Sequence, residues 1–172
     1  KTIIKNISLS LTPNKIIYLT GKNGVGKTTL IKILSNILEP VIGEIYCNGK
    51  NIKKNPFNLY KNITLIMDKN TSNLNLTIKE NIFFWKKIFN SKINIKEIDS
   101  ILEILRISEY INTKVSDLSY GEAKKLELSR LIIEQKKIWF LDEPYIGLDS
   151  QSAEILKVFK VFLRPFWPFL ES

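Results

Sequence analysis

The chain has 172 residues, of which 44% are hydrophobic and 25% charged, so its composition is that of a globular protein with one core. It has no histidine and a single cysteine, Cys47, which excludes histidine metal sites, histidine-based triads and internal disulfides within these residues, and its apolar runs are too short for a transmembrane helix. The formal net charge of +9 is explained either by an anionic partner such as nucleic acid or by an amino-acid composition that is rich in Lys, Asn and Ile. We favour the compositional explanation because the lysines are dispersed along the chain.

The first predicted elements are two strands and a helix. Apolar residues alternate with hydroxyl residues over residues 7–11, which predicts a half-buried strand. Residues 16–19 are apolar without alternation, which is typical of a parallel strand covered on both faces. The helix that follows should run to about Leu38, because Pro40 cannot continue it.

A glycine-rich segment, residues 21–29, lies between the second strand and this helix. A strand, a glycine-rich turn and a helix N-terminus in that order predict a phosphate-binding loop, in which backbone N–H groups and the helix dipole face the anion. Lys27 would bind the β- and γ-phosphates, and the Thr28 hydroxyl would bind Mg²⁺. The candidate nucleotide-binding residues are Gly21, Lys22, Asn23, Gly24, Val25, Gly26, Lys27, Thr28 and Thr29.

The middle of the chain reads as short strands followed by helices. Residues 43–49 and 63–67 are predicted strands, and the polar residues 51–61 between them are a predicted loop. Thr77 and Glu80 have capping-box spacing and predict a helix start, and we favour core positions over a docking surface for the aromatic residues 83–85.

Two further helices are predicted on either side of residue 118. The apolar residues Ile98, Ile101, Leu102 and Leu105 recur at helical spacing, which predicts an amphipathic helix. A second helical pattern covers residues 123–134. Ser119 and Gly121 precede that pattern, where they can serve either as an ordinary helix N-cap or as a second anion site.

Two acidic residues follow the apolar strand predicted at residues 138–141. The carboxyl end of a parallel strand is where ligands bind in open α/β sheets. Asp142 there would hold Mg²⁺ through its water shell, and Glu143 would orient and polarise an attacking water. Together with the phosphate loop, these residues indicate a nucleotide hydrolase.

The order of these motifs, residues 21–29, 118–122, 139–144 and 147–149, resembles the nucleotide-binding domain of ABC ATPases over nearly the whole chain. The resemblance implies an α/β P-loop NTPase fold with a mainly parallel sheet, a small antiparallel β part and a short helical subdomain. We expect one domain, with a core of residues 1–69 and 116–172 and a helical arm of about 70–115. It also implies ATP and Mg²⁺ as cofactors, and ATP hydrolysis.

The resemblance further implies a head-to-tail homodimer that holds two ATP molecules between its subunits. Residues 118–122 look like the family's signature motif, usually Leu-Ser-Gly-Gly-Gln, from which Tyr120 and Glu122 depart. One subunit would supply Lys27, Thr28, Asp142 and Glu143, and the other would supply Ser119, Gly121, Glu122 and, at the subunit seam, Asp149.

Three family features are altered or absent. Asp68 stands where a glutamine usually follows the strand, and its carboxylate is a candidate Mg²⁺ ligand beside Thr28 and Asp142. The family's adenine-stacking aromatic and switch histidine fall outside the chain, so we expect a fragment at both ends with weak or no ATPase activity on its own. A degenerate ATPase is the competing explanation.

Residues 76–85 and 137–139 are similar to the ATP-binding subunit of the cytochrome c biogenesis haem exporter. This similarity implies export through transmembrane permease subunits, with the chain peripheral on the cytoplasmic face of an inner membrane, or on the matrix face of a mitochondrion. No direct contact with nucleic acid is then expected. The alternatives are a soluble ABC ATPase acting on nucleic acid or ribosomes and a non-hydrolysing ATP-binding module.

Overall fold

The computed structural model describes residues 4–13 and 15–148, which belong to two compact units divided between Lys61 and Asn62. The first unit contains α1 (Lys27–Leu34), β1 (Tyr46–Cys47), β2 (Lys50–Asn51) and α2 (Pro56–Tyr60). The second unit contains β3 (Ile63–Ile66), α3 (Ile78–Ile88), α4 (Ile95–Ile104), 3-10 turns at Ser108–Tyr110 and Val115–Asp117, α5 (Tyr120–Ile133) and β4 (Ile138–Leu141).

The two strands predicted at the start of the chain are wrong. Residues 7–11 and 16–19 form no strand, and Ile7 and Ile17 are 51% and 43% exposed. An apolar pattern shows only that a segment can be buried, whereas a strand also needs a hydrogen-bonding neighbour. In the described part of the first unit, the only strands are β1 and β2, and they pair with each other.

A two-residue turn makes β1 and β2 an antiparallel hairpin. Asn48 and Gly49 both have positive φ, 49° and 72°, as the favoured Asn-Gly hairpin turn requires. The predicted loop over residues 51–61 is partly wrong, because α2 lies within it. The sequence carried that signal in Asn55, which caps the Asn58 N–H, and in Pro56 at the first helical position.

The long helices end in left-handed residues. At the end of α1, Asn36 has φ 61°, and the Ile37 N–H donates to the Lys32 carbonyl at 2.8 Å in a Schellman motif. The helix therefore stops at Leu34, four residues before the predicted end. Asn90, Arg106 and Gln135 take the same conformation after α3, α4 and α5.

The three long helices of the second unit begin with capping boxes, as predicted for α3. The pairs are Thr77 with Glu80, Asn94 with Glu97, and Ser119 with Glu122. In each pair the N-cap side chain accepts the backbone N–H of the acidic residue, whose carboxylate accepts the N-cap N–H in return. The N–H groups of the N-cap residue and of the acidic residue are therefore satisfied within the chain at each of these helix starts.

One apolar core joins α3, α4 and α5 to β3. Ile98, Ile101, Leu102 and Leu105 are all buried, so the predicted apolar face of α4 is confirmed. The aromatic residues of α3 divide, because Trp85 is buried in this core while Phe83 and Phe84 are about half exposed, so the prediction of core positions is wrong for both phenylalanines. The helical arm of about residues 70–115 stays a prediction, since its side chains share their core with α5.

The parallel pair β3 and β4 confirms two predicted strands. Ile63 lies opposite Ile138 and Ile66 opposite Leu141, so the two carboxyl ends are level. The Asp142 N–H extends the ladder by donating to the Ile66 carbonyl at 2.9 Å. Both strands thus deliver the residues that follow them to one edge.

A polar face of α5 holds the segment that follows β3. Glu127, 2% exposed, accepts hydrogen bonds from the N–H and hydroxyl groups of Thr71 and Ser72 at 2.7–3.1 Å. Arg130 bridges Glu127 at 2.9 Å and Glu134 at 2.6 Å, and its guanidinium lies 5.5 Å from the centre of the Trp85 ring. A buried carboxylate is tolerated only with such compensation.

We expect Glu127→Ala to lower the free energy of unfolding by about 3 kcal/mol, because it leaves buried N–H donors and one side of the Arg130 guanidinium without a hydrogen-bond acceptor. Urea unfolding followed by tryptophan fluorescence measures this change. Glu97→Ala, which removes a half-buried capping carboxylate, is the matched control and should cost much less. Equal losses for the two variants would contradict the role assigned to Glu127.

Candidate active site

The phosphate loop is a tight turn that leads directly into α1. Gly24 and Gly26 have φ values of 80° and 110°, a left-handed region where a side chain would be strained. The turn closes through the Val25 N–H, which donates to the Lys22 carbonyl at 3.4 Å, and α1 opens with the Leu30 N–H on the Gly26 carbonyl at 2.8 Å. Lys27, Thr28 and Thr29 thus occupy the first turn of the helix.

The Lys27 ammonium lies against the backbone of its own loop. Its Nζ donates to the Gly21 carbonyl at 2.7 Å and to the Lys22 carbonyl at 3.1 Å. These bonds place a positive charge at the turn, within the same few residues as the N-terminus of α1.

The N-terminus of α1 differs from the helix starts of the second unit. Its N-cap is Gly26, no side chain caps it, and its first turn contains no acidic residue. The first turn of α1 therefore carries no carboxylate of its own beside the positive end of the helix dipole. Together with Lys27, this helix start forms a site suited to phosphate, the role predicted for this loop.

The second unit brings three predicted acidic residues to one edge of the β3–β4 pair. Asp142 and Glu143 follow β4 directly, and Asp68 lies two residues beyond β3. Asp142 is 5% exposed, whereas Glu143 is exposed. The strand β4 is half-buried.

Glu143 has an unusual backbone for a residue with a side chain. Its φ is 48°, in the left-handed region, and its carbonyl accepts the Ile146 N–H at 3.2 Å. Strained conformations of this kind cluster at functional sites, where the surrounding fold holds them.

Sequence reasoning missed Lys124, a buried cation behind these carboxylates. Lys124 is 3% exposed and donates to the Met67 carbonyl at 3.1 Å. Burial lowers the pKa of its ammonium, while the negative charges of Asp68, Glu127, Asp142 and Glu143 oppose that shift. Its place in the helical pattern of α5 marks it as a surface lysine, so no local signal could have identified it.

The signature-like residues begin α5, and the ordinary N-cap role that the sequence left open is present. The Ser119 hydroxyl donates to Glu122 Oε2 at 2.8 Å, and the Ser119 N–H donates to the same oxygen at 2.7 Å. Hydrogen bonds from the Ser119 side chain and backbone hold the pKa of Glu122 below its usual value. A carboxylate therefore sits at the position where a phosphate would meet these donors.

The remaining predicted site residues are placed as follows. Gly121 packs closely on the turn after β4, because a Cβ there would lie 2.9 Å from the Gly147 carbonyl oxygen. Asp149 lies outside the described residues. The phosphate loop belongs to the first unit, and all the other described site residues belong to the second.

Residues 4–13 and 15–148 contain neither a cluster of metal-binding side chains nor a membrane-spanning helix. No group of three or more His, Cys, Asp or Glu side chains is arranged to hold a metal ion. None of the helices in these ranges combines the length and the apolar character needed to span a membrane.

Comparisons with known proteins agree with the motif order. The family model described as "ABC transporter" matches residues 4–146. Two relatives named cytochrome c biogenesis ATP-binding export protein CcmA, from Wolbachia pipientis wMel and Reclinomonas americana, are 34% and 36% identical to the chain. The alignments cover 91% and 90% of this chain and 74% and 70% of the relatives.

A solved structure shares the fold. An ABC transporter ATP-binding protein from Pyrococcus furiosus superposes with a TM-score of 0.73 at 27% identity, covering 84% of this chain and 70% of that one. The predicted P-loop NTPase fold, with its parallel and antiparallel strand pairs and its helical part, is therefore confirmed. The chain belongs to the ABC transporter family and is an ATP-binding ATPase subunit of that family.

Proposed function

We propose that this chain powers export through membrane permease subunits in cytochrome c biogenesis, with haem as the exported substrate. Its similarity to the two relatives named for that process, over nine-tenths of its length, supports the export role. The resemblance of residues 76–85 to the haem exporter subgroup supports the substrate. The protein would act as a peripheral subunit on the cytoplasmic or matrix face of the membrane, held there by its partners.

The observation that carries the ATPase chemistry is the level ending of β3 and β4, which places Asp142 and Glu143 at the carboxyl edge of a parallel pair. Glu143, exposed and held at positive φ, would orient and polarise the attacking water. Lys27 and the uncapped start of α1 would bind the phosphates of ATP, using the glycine-rich turn of residues 21–26.

The residues also fit Mg²⁺, which would neutralise charge on the phosphates. The hydroxyl of Thr28 and the carboxylate of Asp142 are hard oxygen donors of the kind that Mg²⁺ prefers. Mg²⁺ keeps several waters and binds phosphate oxygens, so it needs only one or two protein ligands.

We further propose the head-to-tail dimer, in which the start of α5 closes over ATP bound to the other subunit. Ser119 and Gly121 would then donate to phosphate. In the single chain, the Ser119 donors are bonded to the Glu122 carboxylate, so closure must displace that carboxylate. Asp149 would lie at the same subunit seam.

A groove beside α3 is the surface we assign to the permease. It is open to solvent, has a volume of about 600 Å³ and is lined by the half-exposed rings of Phe83 and Phe84, with Lys79 and Lys87 beside them. Glu80 also lines it, but its carboxylate is bonded to Thr77. Apolar rings with basic neighbours suit a cytoplasmic loop of the permease that carries apolar and acidic residues.

Glu143→Gln should lower ATP turnover at least about 100-fold, because the amide cannot accept a proton from water. ATP binding should persist, and gel filtration with ATP and Mg²⁺ should show a trapped dimer. Glu103→Gln, the same chemical change on the exposed face of α4, is the control and should leave turnover unchanged. Full turnover in Glu143→Gln would exclude Glu143 as the residue that activates water.

Glu122→Gln should promote ATP-dependent dimerisation, since it replaces a carboxylate with a neutral amide beside the Ser119 donors. We expect half-maximal dimerisation at an ATP concentration about three- to tenfold lower, because like charges no longer approach each other. Light scattering during an ATP titration measures this. A rise in the required concentration would show that the carboxylate assists closure.

Replacing Phe83 and Phe84 by Ser should reduce co-purification of the permease at least about tenfold, since buried aromatic anchors dominate interfaces. ATP hydrolysis by the isolated subunit should stay unchanged. Phe57→Ser, at an exposed aromatic in the first unit, is the control. Undiminished co-purification of the double variant would place the permease on another surface.

A further inference from the structure

Two residues at which this chain departs from the ABC pattern contact each other. Asp68 stands where the family usually has glutamine, and Tyr120 stands where the signature motif usually has glycine. The Tyr120 hydroxyl donates to Asp68 Oδ1 at 2.7 Å, although 52 residues separate them in the chain. Each departure therefore supplies the hydrogen-bond partner of the other.

The ring of Tyr120 lies against the turn that follows β4. A Cβ at Gly147 would overlap the edge of this ring, and the φ of Gly147, 78°, independently favours glycine. One side chain thus touches the segment after β3 through its hydroxyl and the turn after β4 through its ring.

The segment that carries Asp68 is anchored on both sides of that residue. Lys124 holds the carbonyl of Met67, and Glu127 holds the backbone and side chains of Thr71 and Ser72. These contacts fix the backbone, whereas Tyr120 binds the carboxylate of Asp68 itself.

Asp68 and Glu143 occupy matching positions at the sheet edge. Because Ile66 pairs with Leu141, each acidic residue lies two positions beyond the end of its strand. The hydrogen bond to Asp68 is the largest of the effects that raise the pKa of Tyr120. Burial of the phenol and the negative charges of Asp68 and Glu143 raise it further. The phenol therefore remains a donor at neutral pH.

We propose that Tyr120 is a positioning residue for ATP hydrolysis. Its hydroxyl fixes the Asp68 carboxylate at the sheet edge, and its ring supports the turn at Gly147 beyond Glu143. Tyr120 acts through these neighbours and contacts no reacting atom. The inference rests on the proposed function, in which Glu143 activates water.

Accepting the Tyr120 hydroxyl and binding Mg²⁺ are two different roles for Asp68, and they need different chemical properties of the side chain at residue 68. A positioning contact needs an oxygen that accepts the Tyr120 hydroxyl, which an asparagine amide also supplies. A Mg²⁺ ligand needs the negative charge, which asparagine lacks. The variant Asp68→Asn therefore separates the two roles.

The experiment measures kcat and KM for ATP, at saturating and limiting Mg²⁺, in the full-length protein and its variants. Tyr120→Phe and Asp68→Ala should each lower kcat about three- to tenfold, as expected for the loss of one ordinary hydrogen bond at an exposed position, with KM changed less than about twofold. The double variant should be no slower than either single variant, and Asp68→Asn should keep most of the activity.

Tyr46→Phe is the matched control, because it removes a tyrosine–carboxylate bond of the same length, 2.7 Å to Glu44, in the first unit. Its kcat should equal that of the unmodified protein. Unchanged kcat in Tyr120→Phe, additive losses in the double variant, or an Asp68→Asn variant as slow as Asp68→Ala would each overturn the proposal. Persistent turnover in Glu143→Gln would instead overturn the proposed function, so the two failures are distinguishable.

Discussion

The second unit depends on the hydrogen bonds and the ion pair that compensate one buried carboxylate, that of Glu127. An ionised group at 2% exposure needs several donors, and the chain supplies them from Thr71, Ser72 and Arg130. Satisfying this charge forces the segment after β3 onto α5, which in turn places Asp68 beside Tyr120. The positions of the edge carboxylates thus follow from a polar network beneath them as much as from the pairing of β3 with β4.

The N-termini of α1 and α5 differ in whether an acidic residue of the chain lies beside them. The start of α1 has no side-chain cap and no acidic residue in its first turn, so the positive end of its dipole suits an external anion. The start of α5 is neutralised by its own Glu122, whose carboxylate occupies the donors of Ser119. A nucleotide held between two copies would therefore bind the first site directly and the second only after exchange of one anion for another.

The sequence correctly predicted features that depend on residues close together in the chain. The capping box at Thr77 and the apolar face of α4 depend on neighbours within a few residues, and both are present. The strand predicted at residues 16–19 is absent, because a strand needs a hydrogen-bonding neighbour and an apolar pattern does not identify one. Lys124 and the Tyr120–Asp68 bond join positions more than fifty residues apart, and nothing in either local pattern indicates them.

The contact between Asp68 and Tyr120 bears on whether the departures from the family pattern indicate a degenerate ATPase. Decay would leave each changed residue without a compensating partner, whereas these two satisfy each other at 2.7 Å. The groups that we propose for the chemistry, Lys27, Asp142 and Glu143, are meanwhile all present. The bond needs a hydroxyl at residue 120 and an acceptor oxygen at residue 68, and the chain supplies both. Their pairing therefore favours an active enzyme over a module that has lost hydrolysis.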